Sequence, residues 1–386
     1  MKIAYAQAYD YLESSIRPLK INYLRMKRQN KIIVSFLFLL FTASTVLASN
    51  RFVPFNNEWI TYQGRIFFRP QGAVLSWSGC GITFRFKGSC ISAIMQDSDT
   101  GNYYNVILDG KWYAKIHTDT LKHAYLLASG LKWGKHTMKL FKRTEWDKGK
   151  TQFFGFELPE HAVGLPPLKE PKRKMKFYGN SITCGYGVED PNGNNSSLGC
   201  FENNYVTYAA ITARHFHAQY RCIAKSGIGI MVSWFPLIMP EMFDRIDPTD
   251  SIHHWNFALY QPDVVVINLF QNDSWLVNKP NNPQFIHRFG SRKPDKAFIV
   301  GAYQQFVQSI RQKYPHASIV CVLGDMDATK TGSPWPGYIT EAVSQMHDPH
   351  IYVHFFPYKN RSGHPNVAEQ QAMANSLIHF INKKIH

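Results

Sequence analysis

Four short segments of the chain carry residue types that complement one another chemically. Tyr178-Gly179-Asn180-Ser181-Ile182-Thr183 puts a serine directly behind an apolar run, at the start of a helix whose first N–H groups point at whatever the hydroxyl attacks. Ala224-Lys225-Ser226-Gly227-Ile228-Gly229 is rich in glycine. Asn268-Leu269-Phe270-Gln271-Asn272-Asp273 supplies a side-chain amide, and Arg361-Ser362-Gly363-His364-Pro365-Asn366 supplies an imidazole. A serine hydroxyl is a weak nucleophile at its own pKa and needs a base within hydrogen-bond reach. Serine, imidazole and convergent N–H donors are together the parts of acyl transfer. Taken singly, each has an ordinary role: Ser181 and His364 as helix caps, Asn272 as a turn residue, Gly227 as a conformational glycine.

Such residues converge only if several strands end at one sheet edge, and the hydropathy pattern supplies those strands. Met175-Lys176-Phe177-Tyr178 and residues 221–223, 263–269, 318–323 and 350–356 are apolar runs of the kind buried in a parallel sheet. Between them Tyr303, Phe306, Val307 and Ile310, and later Met373, Leu377, Phe380 and Ile381, recur at helical spacing. This alternation predicts, over 175–386, an α/β fold: a three-layer, doubly wound parallel sheet of flavodoxin-like type, with active residues at its carboxyl edge. Residues 50–160 read differently. Ile82-Thr83-Phe84-Arg85-Phe86 alternates with period two, and Asp109-Gly110 sits between two strand-like halves as a hairpin turn. Short strands without helical periodicity predict an all-β sandwich of jelly-roll type. Pro159, Gly164, Pro166, Pro167 and Pro171 mark a stiff linker, assigned to 161–174.

In that order and context Ser181, Gly227, Asn272 and His364 resemble the four blocks of the SGNH/GDSL hydrolase superfamily. The sandwich ahead of them resembles that of carbohydrate esterase family 2, as do Ser78-Gly79-Cys80-Gly81-Ile82, Leu108-Asp109-Gly110, Lys142-Arg143-Thr144-Glu145 and Cys184-Gly185-Tyr186-Gly187. The resemblance covers residue 51 to the C-terminus. It implies a carbohydrate acetyl esterase acting on acetylated polysaccharides such as xylan or glucomannan through an acyl-serine intermediate. Ser181 is then the nucleophile and His364 the base that later protonates the leaving hydroxyl. The Ser181 and Gly227 N–H groups and the Asn272 amide form an oxyanion hole, in which one donor is worth ~2.7–4 kcal/mol of barrier. That chemistry requires no metal or organic cofactor. His253-His254 has no further spaced ligands and reads as a solvated loop. Trp275 and Trp335 are candidate sugar platforms, with a place in the core as the alternative.

Three departures from the superfamily pattern stand out. Asn180 replaces an aspartate that helps position the nucleophile loop, and Phe270 replaces a glycine. Arg361 and Ser362 stand where a carboxylate would orient the histidine. A Ser–His dyad with the Ser362 carbonyl fixing the imidazole is therefore expected, with Asp325 or Asp327 as alternatives. Other readings of the same blocks are a lipid or aryl esterase, an O-acetyltransferase, or a catalytically silent sugar-binding protein, which the missing carboxylate favours. Cys184 and Cys200 bracket a loop rich in Gly, Asn and Ser, and with the family's support a bridge between them is expected. Cys80 and Cys90 could also pair, whereas Cys222 and Cys321 lie in apolar strands as buried thiols.

The remaining signal concerns address. The chain has 386 residues and a formal charge of +16, which by itself invites a nucleic-acid partner. Met26-Lys27-Arg28-Gln29-Asn30-Lys31 followed by an apolar run, with Val46 and Ala48 at the −3 and −1 places, reads as a secretory signal peptide over 26–48. The apolar stretch is shorter than the ~20 residues that span a bilayer. Residues 1–25 read as an upstream extension. Without residues 1–48 the charge falls to +11, spread along the chain. The expectation is an exported, secreted or periplasmic monomer with an acetylated glycan partner, no nucleic acid and no stable membrane insertion.

Overall fold

The computed structural model describes residues 50–385, and the expected leader over 26–48 lies outside the described residues. Strands β1 (Arg51–Pro54), β2 (Thr61–Gln63), β3 (Ile66–Arg69), β4 (Gly72–Leu75), β5 (Gly81–Gly88) and β6 (Ile91–Asp97) come first. They are followed by β7 (Tyr103–Leu108), β8 (Lys111–His117), β9 (His123–Ala128), β10 (Gly134–Lys142), β11 (Thr151–Leu158) and β12 (Val163–Leu165). They make two antiparallel sheets. One runs β3-β4-β11-β6-β9 with β1 on β11, and the other runs β12-β5-β10-β7-β8 with β2 on β5. Alternation drives the pairing: along β5 Ile82, Phe84 and Phe86 are buried while Thr83, Arg85 and Lys87 are not. The inward residues of the two sheets meet, with Phe84 stacked on Phe156 at 5.1 Å. Asp109 and Gly110 both take positive φ, the mirror-image turn that matches strand twist between β7 and β8. Residues 163–165 of the proline-rich segment pair with β5 as an edge strand.

The second half is built on β13 (Lys174–Gly179), β14 (Gln219–Ala224), β15 (Val264–Asn268), β16 (Ser318–Leu323) and β17 (Ile351–Phe355), all parallel in the order β14-β13-β15-β16-β17. Alternate residues of β15 face opposite layers. Val265 and Ile267 share a core with Tyr303, Phe306, Val307 and Ile310 of helix Lys296–Lys313, whereas Val264 and Val266 share one with Met373, Leu377 and Ile381 of helix Val367–Lys384. The latter helix starts at a capping box in which Asn366 and Glu369 exchange hydrogen bonds. Because every connection between parallel strands crosses over, the strand ends gather at one edge, beside helices that begin there. No helix among the described residues is long and apolar enough to cross a membrane.

Cys184 and Cys200 depart from expectation: all six cysteines are free thiols, with Cys222 and Cys321 buried as expected. Cys184 is buried with Ile182, Phe177 and Met175, and burial pushes its thiol far above the usual range. Cys200 lies at a turn packed against the sandwich, its carbonyl 3.4 Å from Lys115 Nζ. The two side chains serve different environments and do not meet as a bridge. Cys80 is buried, its Sγ 3.5 Å from the Arg65 carbonyl, and Cys90 is half-buried between β5 and β6.

Candidate active site

β13 ends at Gly179, where a side chain would overlap Thr183, so the chain turns tightly into the short helix Ser181–Cys184. The Asn180 side chain caps that helix by accepting the Ile182 N–H at 3.1 Å. Asparagine thus fulfils the capping role an aspartate would have. Ser181 Oγ lies 2.9 Å from His364 Nε2, across 183 residues of sequence. The other ring nitrogen, Nδ1, lies 2.9 Å from Asn195 Oδ1. An amide oxygen only accepts, so this contact requires the proton on Nδ1 and leaves the Nε2 lone pair facing the serine. The Tyr186 ring covers the imidazole at 4.7 Å.

This arrangement corrects the sequence-based choice of partner for the histidine. The Ser362 carbonyl instead accepts from Arg361 Nη1 at 2.8 Å. Asp327 accepts from Trp275 Nε1 and pairs with Lys330, and Asp325 is buried with Oδ1 unpartnered. Neither carboxylate reaches the imidazole. Arg361, standing in the position expected for an acid, ties down the loop: it pairs with Glu369 and donates to the His364 carbonyl at 2.9 Å. The His364 N–H in turn donates to the Asn194 carbonyl at 3.2 Å, latching the histidine loop to the Asn-rich loop. Burial, then Lys359 and Arg361, lower the His364 pKa to about 4, so the ring is neutral at ordinary pH.

Gly227 follows β14 with φ +82°, and a Cβ there would meet Trp234 and Phe235 at 3.3 Å. Among the described residues neither its N–H nor that of Ser181 is given to another group. Asn272 Nδ2 donates one hydrogen to the Ile228 carbonyl at 2.8 Å and retains a second; its Oδ1 accepts from Trp234 Nε1 at 3.1 Å. Two buried carboxylates hold this side of the site. Glu145, from the sandwich, accepts from Ser226 N–H at 2.6 Å, from the Ser226 hydroxyl and from Lys225 Nζ at 3.2 Å. Asp273 gathers the N–H groups of Ile230, Met231 and Val232 at 2.7–3.1 Å. Its burial raises the carboxyl pKa to about 6 against the pull of those donors.

Ser181, Gly227, Asn272 and His364 line one open cavity of about 360 Å³ together with Trp234, Trp275 and Asn195. A second cavity of about 380 Å³ adjoins it past His364 and Trp275, walled by Tyr358, Lys330 and Lys359. Trp275 therefore stands where a sugar platform could stand. Trp335 does not: it is 6% exposed and packs against Phe270 and Tyr338 in the core. Phe270, in place of the superfamily glycine, keeps the left-handed turn that glycine would take, at φ +82°, while burying its ring on Tyr303 and Trp335. His253 and His254 are exposed and bonded separately to Asp250 and Asp244.

Sequence reasoning missed Asn195, Trp234 and the functions of Glu145 and Asp273. Glu145 and Asp273 lie inside motifs that carry the family resemblance, which is the one signal the sequence offers for them. Asn195 sits in a polar loop with no local pattern, and only the fold reveals its partner.

Comparison with known proteins agrees with this architecture. Residues 62–167 match the family described as carbohydrate esterase 2 N-terminal, and residues 177–367 match the GDSL-like lipase/acylhydrolase family. The chain is 34% identical over 342 residues to the cellulase/esterase CelE of Acetivibrio thermocellus, covering 86% of this chain but only 40% of CelE. It is 23% identical to an acetylxylan esterase / glucomannan deacetylase of Cellvibrio japonicus, covering 91% of that protein. A solved family two carbohydrate esterase from Clostridium thermocellum, in complex with cellohexaose, superposes with a TM-score of 0.75 at 34% identity, over 84% of this chain and 99% of that one. With a sandwich and a parallel-sheet half that match such a structure nearly end to end, the chain belongs to carbohydrate esterase family 2.

Proposed function

We propose that the protein is an exported esterase that removes acetyl groups from polysaccharides, with Ser181 as nucleophile. The observation that carries this reading is the 2.9 Å contact of Ser181 Oγ with a neutral His364, in a cavity shared with Gly227 and Asn272. Ser181 Oγ attacks the acetyl carbonyl carbon while its proton passes to Nε2. The carbonyl oxygen takes the negative charge, facing the free N–H groups of Ser181 and Gly227 and the remaining Asn272 amide hydrogen. The imidazolium formed is steadied by Asn195 Oδ1, then gives its proton to the departing sugar oxygen as the C–O bond breaks. Water, deprotonated by the same nitrogen, cleaves the acetyl-serine and releases acetate. A triad completed by an amide thus replaces the expected dyad.

The polysaccharide class is carried by the family and by the relatives named for acetylxylan and glucomannan. An open cavity walled by Trp234 and Trp275 suits a chain of pyranose rings better than an enclosed acyl tunnel suits it. The signal-peptide-like sequence over 26–48 supports export. The test is acetate release from acetylated xylan and acetylated glucomannan by the wild type beside Ser181→Ala. Release by the wild type alone supports the reading; equal release by both, or none from either glycan, refutes it.

A further inference from the structure

Away from the cavity, two buried cations, Arg65 and Lys176, and the half-buried Arg221 lie together where the sandwich meets the parallel sheet. Lys176 on β13 and Arg221 on β14 are directly paired in register, so their side chains leave the same face of the sheet side by side. Arg65, following β2, reaches the same place from the sandwich. Its guanidinium lies 5.6 Å from the Trp255 ring, and that of Arg221 lies 4.7 Å from the same ring and 3.9 Å from Tyr260. Arg65 and Lys176 are each 1% exposed. Among the described residues none of the three forms an ion pair with a carboxylate. Like charges in register and without counter-charge are a destabilising arrangement, and two of them are guanidiniums, which do not shed their proton.

The donors left over are specific. Arg65 Nη1 donates to the Arg245 carbonyl at 2.7 Å, but Nε and Nη2 are buried without a protein acceptor. Those two atoms form one edge of the guanidinium, the fork that grips an anion with two parallel hydrogen bonds. Arg221 Nη1 is likewise buried without an acceptor. Burial, and after it the charges of Arg65 and Arg221, push the Lys176 pKa far below the usual lysine range.

We propose that Arg65, Arg221 and Lys176 form a binding site for a small monovalent anion of the halide class, chloride in an external medium. The rings of Trp255 and Tyr260 beside the donors favour a weakly hydrated sphere over sulfate or phosphate, whose dehydration costs more. The anion joins the sandwich to the two strands that carry the site, since β13 leads into Ser181 and β14 leads into Ser226 and Gly227. Its binding to the folded state alone raises stability by mass action.

The test is thermal unfolding of the full-length protein in sodium gluconate, chloride and bromide at one ionic strength, with crystals soaked in bromide for anomalous diffraction. The expected result is a saturable rise in Tm of about 2–5 °C in either halide over gluconate. A bromide peak is expected within hydrogen-bond distance of Arg65 Nε and Nη2 and of Arg221 Nη1. Arg65→Met should abolish the halide increment. Should that variant fail to fold, the wild-type peak and Tm series decide alone. Equal Tm in all three salts, or bromide peaks only at surface lysines, overturns the proposal and leaves the donors to water.

Discussion

Replacing Asn195 by aspartate puts a carboxylate where an amide oxygen now sits 2.9 Å from His364 Nδ1. In the wild type the imidazole works beside Lys359 and Arg361 with no anion in contact, and its pKa is lowered to about 4. The base is neutral above that value, so the acid limb of the rate should lie near pH 4. An adjacent opposite charge shifts a pKa by about 1–3 units, and each unit is about 1.4 kcal/mol. Asn195 is exposed, so solvent screening favours the lower end, about one unit. Asn195→Asp should therefore move the acid limb up to about pH 5. Because the imidazolium is formed in the transition state, the plateau rate should rise by up to about tenfold. Asn195→Ala, which frees the ring to rotate and to change tautomer, should lower kcat about 10–100-fold with KM little changed, well short of the ~10⁴-fold loss seen when a triad carboxylate is made an amide. The assay is kcat/KM for 4-nitrophenyl acetate from pH 3.5 to 8, followed at a wavelength insensitive to phenol ionisation. Superimposable profiles for the wild type and both variants would refute the assignment of Asn195 as the group that orients His364.

Other consequences follow from the same contacts. Glu145→Gln keeps the volume but weakens acceptance from Ser226 N–H and leaves Lys225 with Asp147 alone, so kcat should fall about tenfold or more with the fold retained by circular dichroism. At position 270 the left-handed backbone favours glycine over alanine by about 1 kcal/mol, whereas both lose the buried ring at about 3–5 kcal/mol. Phe270→Gly should thus be less stable than wild type in urea yet more stable than Phe270→Ala, the reverse of the order usual in helices and strands. Trp275→Ala should raise KM for acetylated xylan several-fold while leaving 4-nitrophenyl acetate nearly untouched, because only the polymer can reach the adjoining cavity. An equal effect on both substrates would remove Trp275 from the sugar-contact role.

Much of the architecture was legible because it rests on local periodicity. Apolar runs of five or six residues between helical patterns marked β13 to β17, and alternation marked β5, since burial on one face or two writes itself into the chain at short range. The residues Ser181, Gly227, Asn272 and His364 were legible because each follows a strand end, and parallel topology brings strand ends to one edge. What escaped was set by contacts between distant loops. With no carboxylate just before His364 the resemblance points to the Ser362 carbonyl, yet the polar loop at 187–199 folds over and offers Asn195 instead. Trp335 resembled Trp275 as a tryptophan beyond a strand end, but it opens a helix that packs on Phe270 and is consumed by the core. Cys184 and Cys200 bracket a loop in sequence without facing one another in space. A close spacing along the chain fixes neither the direction of a side chain nor what lies opposite it.

If Ser181 is the nucleophile, the acetyl group passes through its hydroxyl. The decisive measurement is to mix the protein with an acetylated xylooligosaccharide, quench in acid within the first turnovers and map the peptides by mass. One added acetyl group is expected on the peptide bearing Ser181, and a fall in turnover of about 10⁴-fold or more with no acetylated peptide in Ser181→Ala. Acetate release that persists in that variant, or an acetyl group found on any other side chain during turnover, would contradict that role for Ser181.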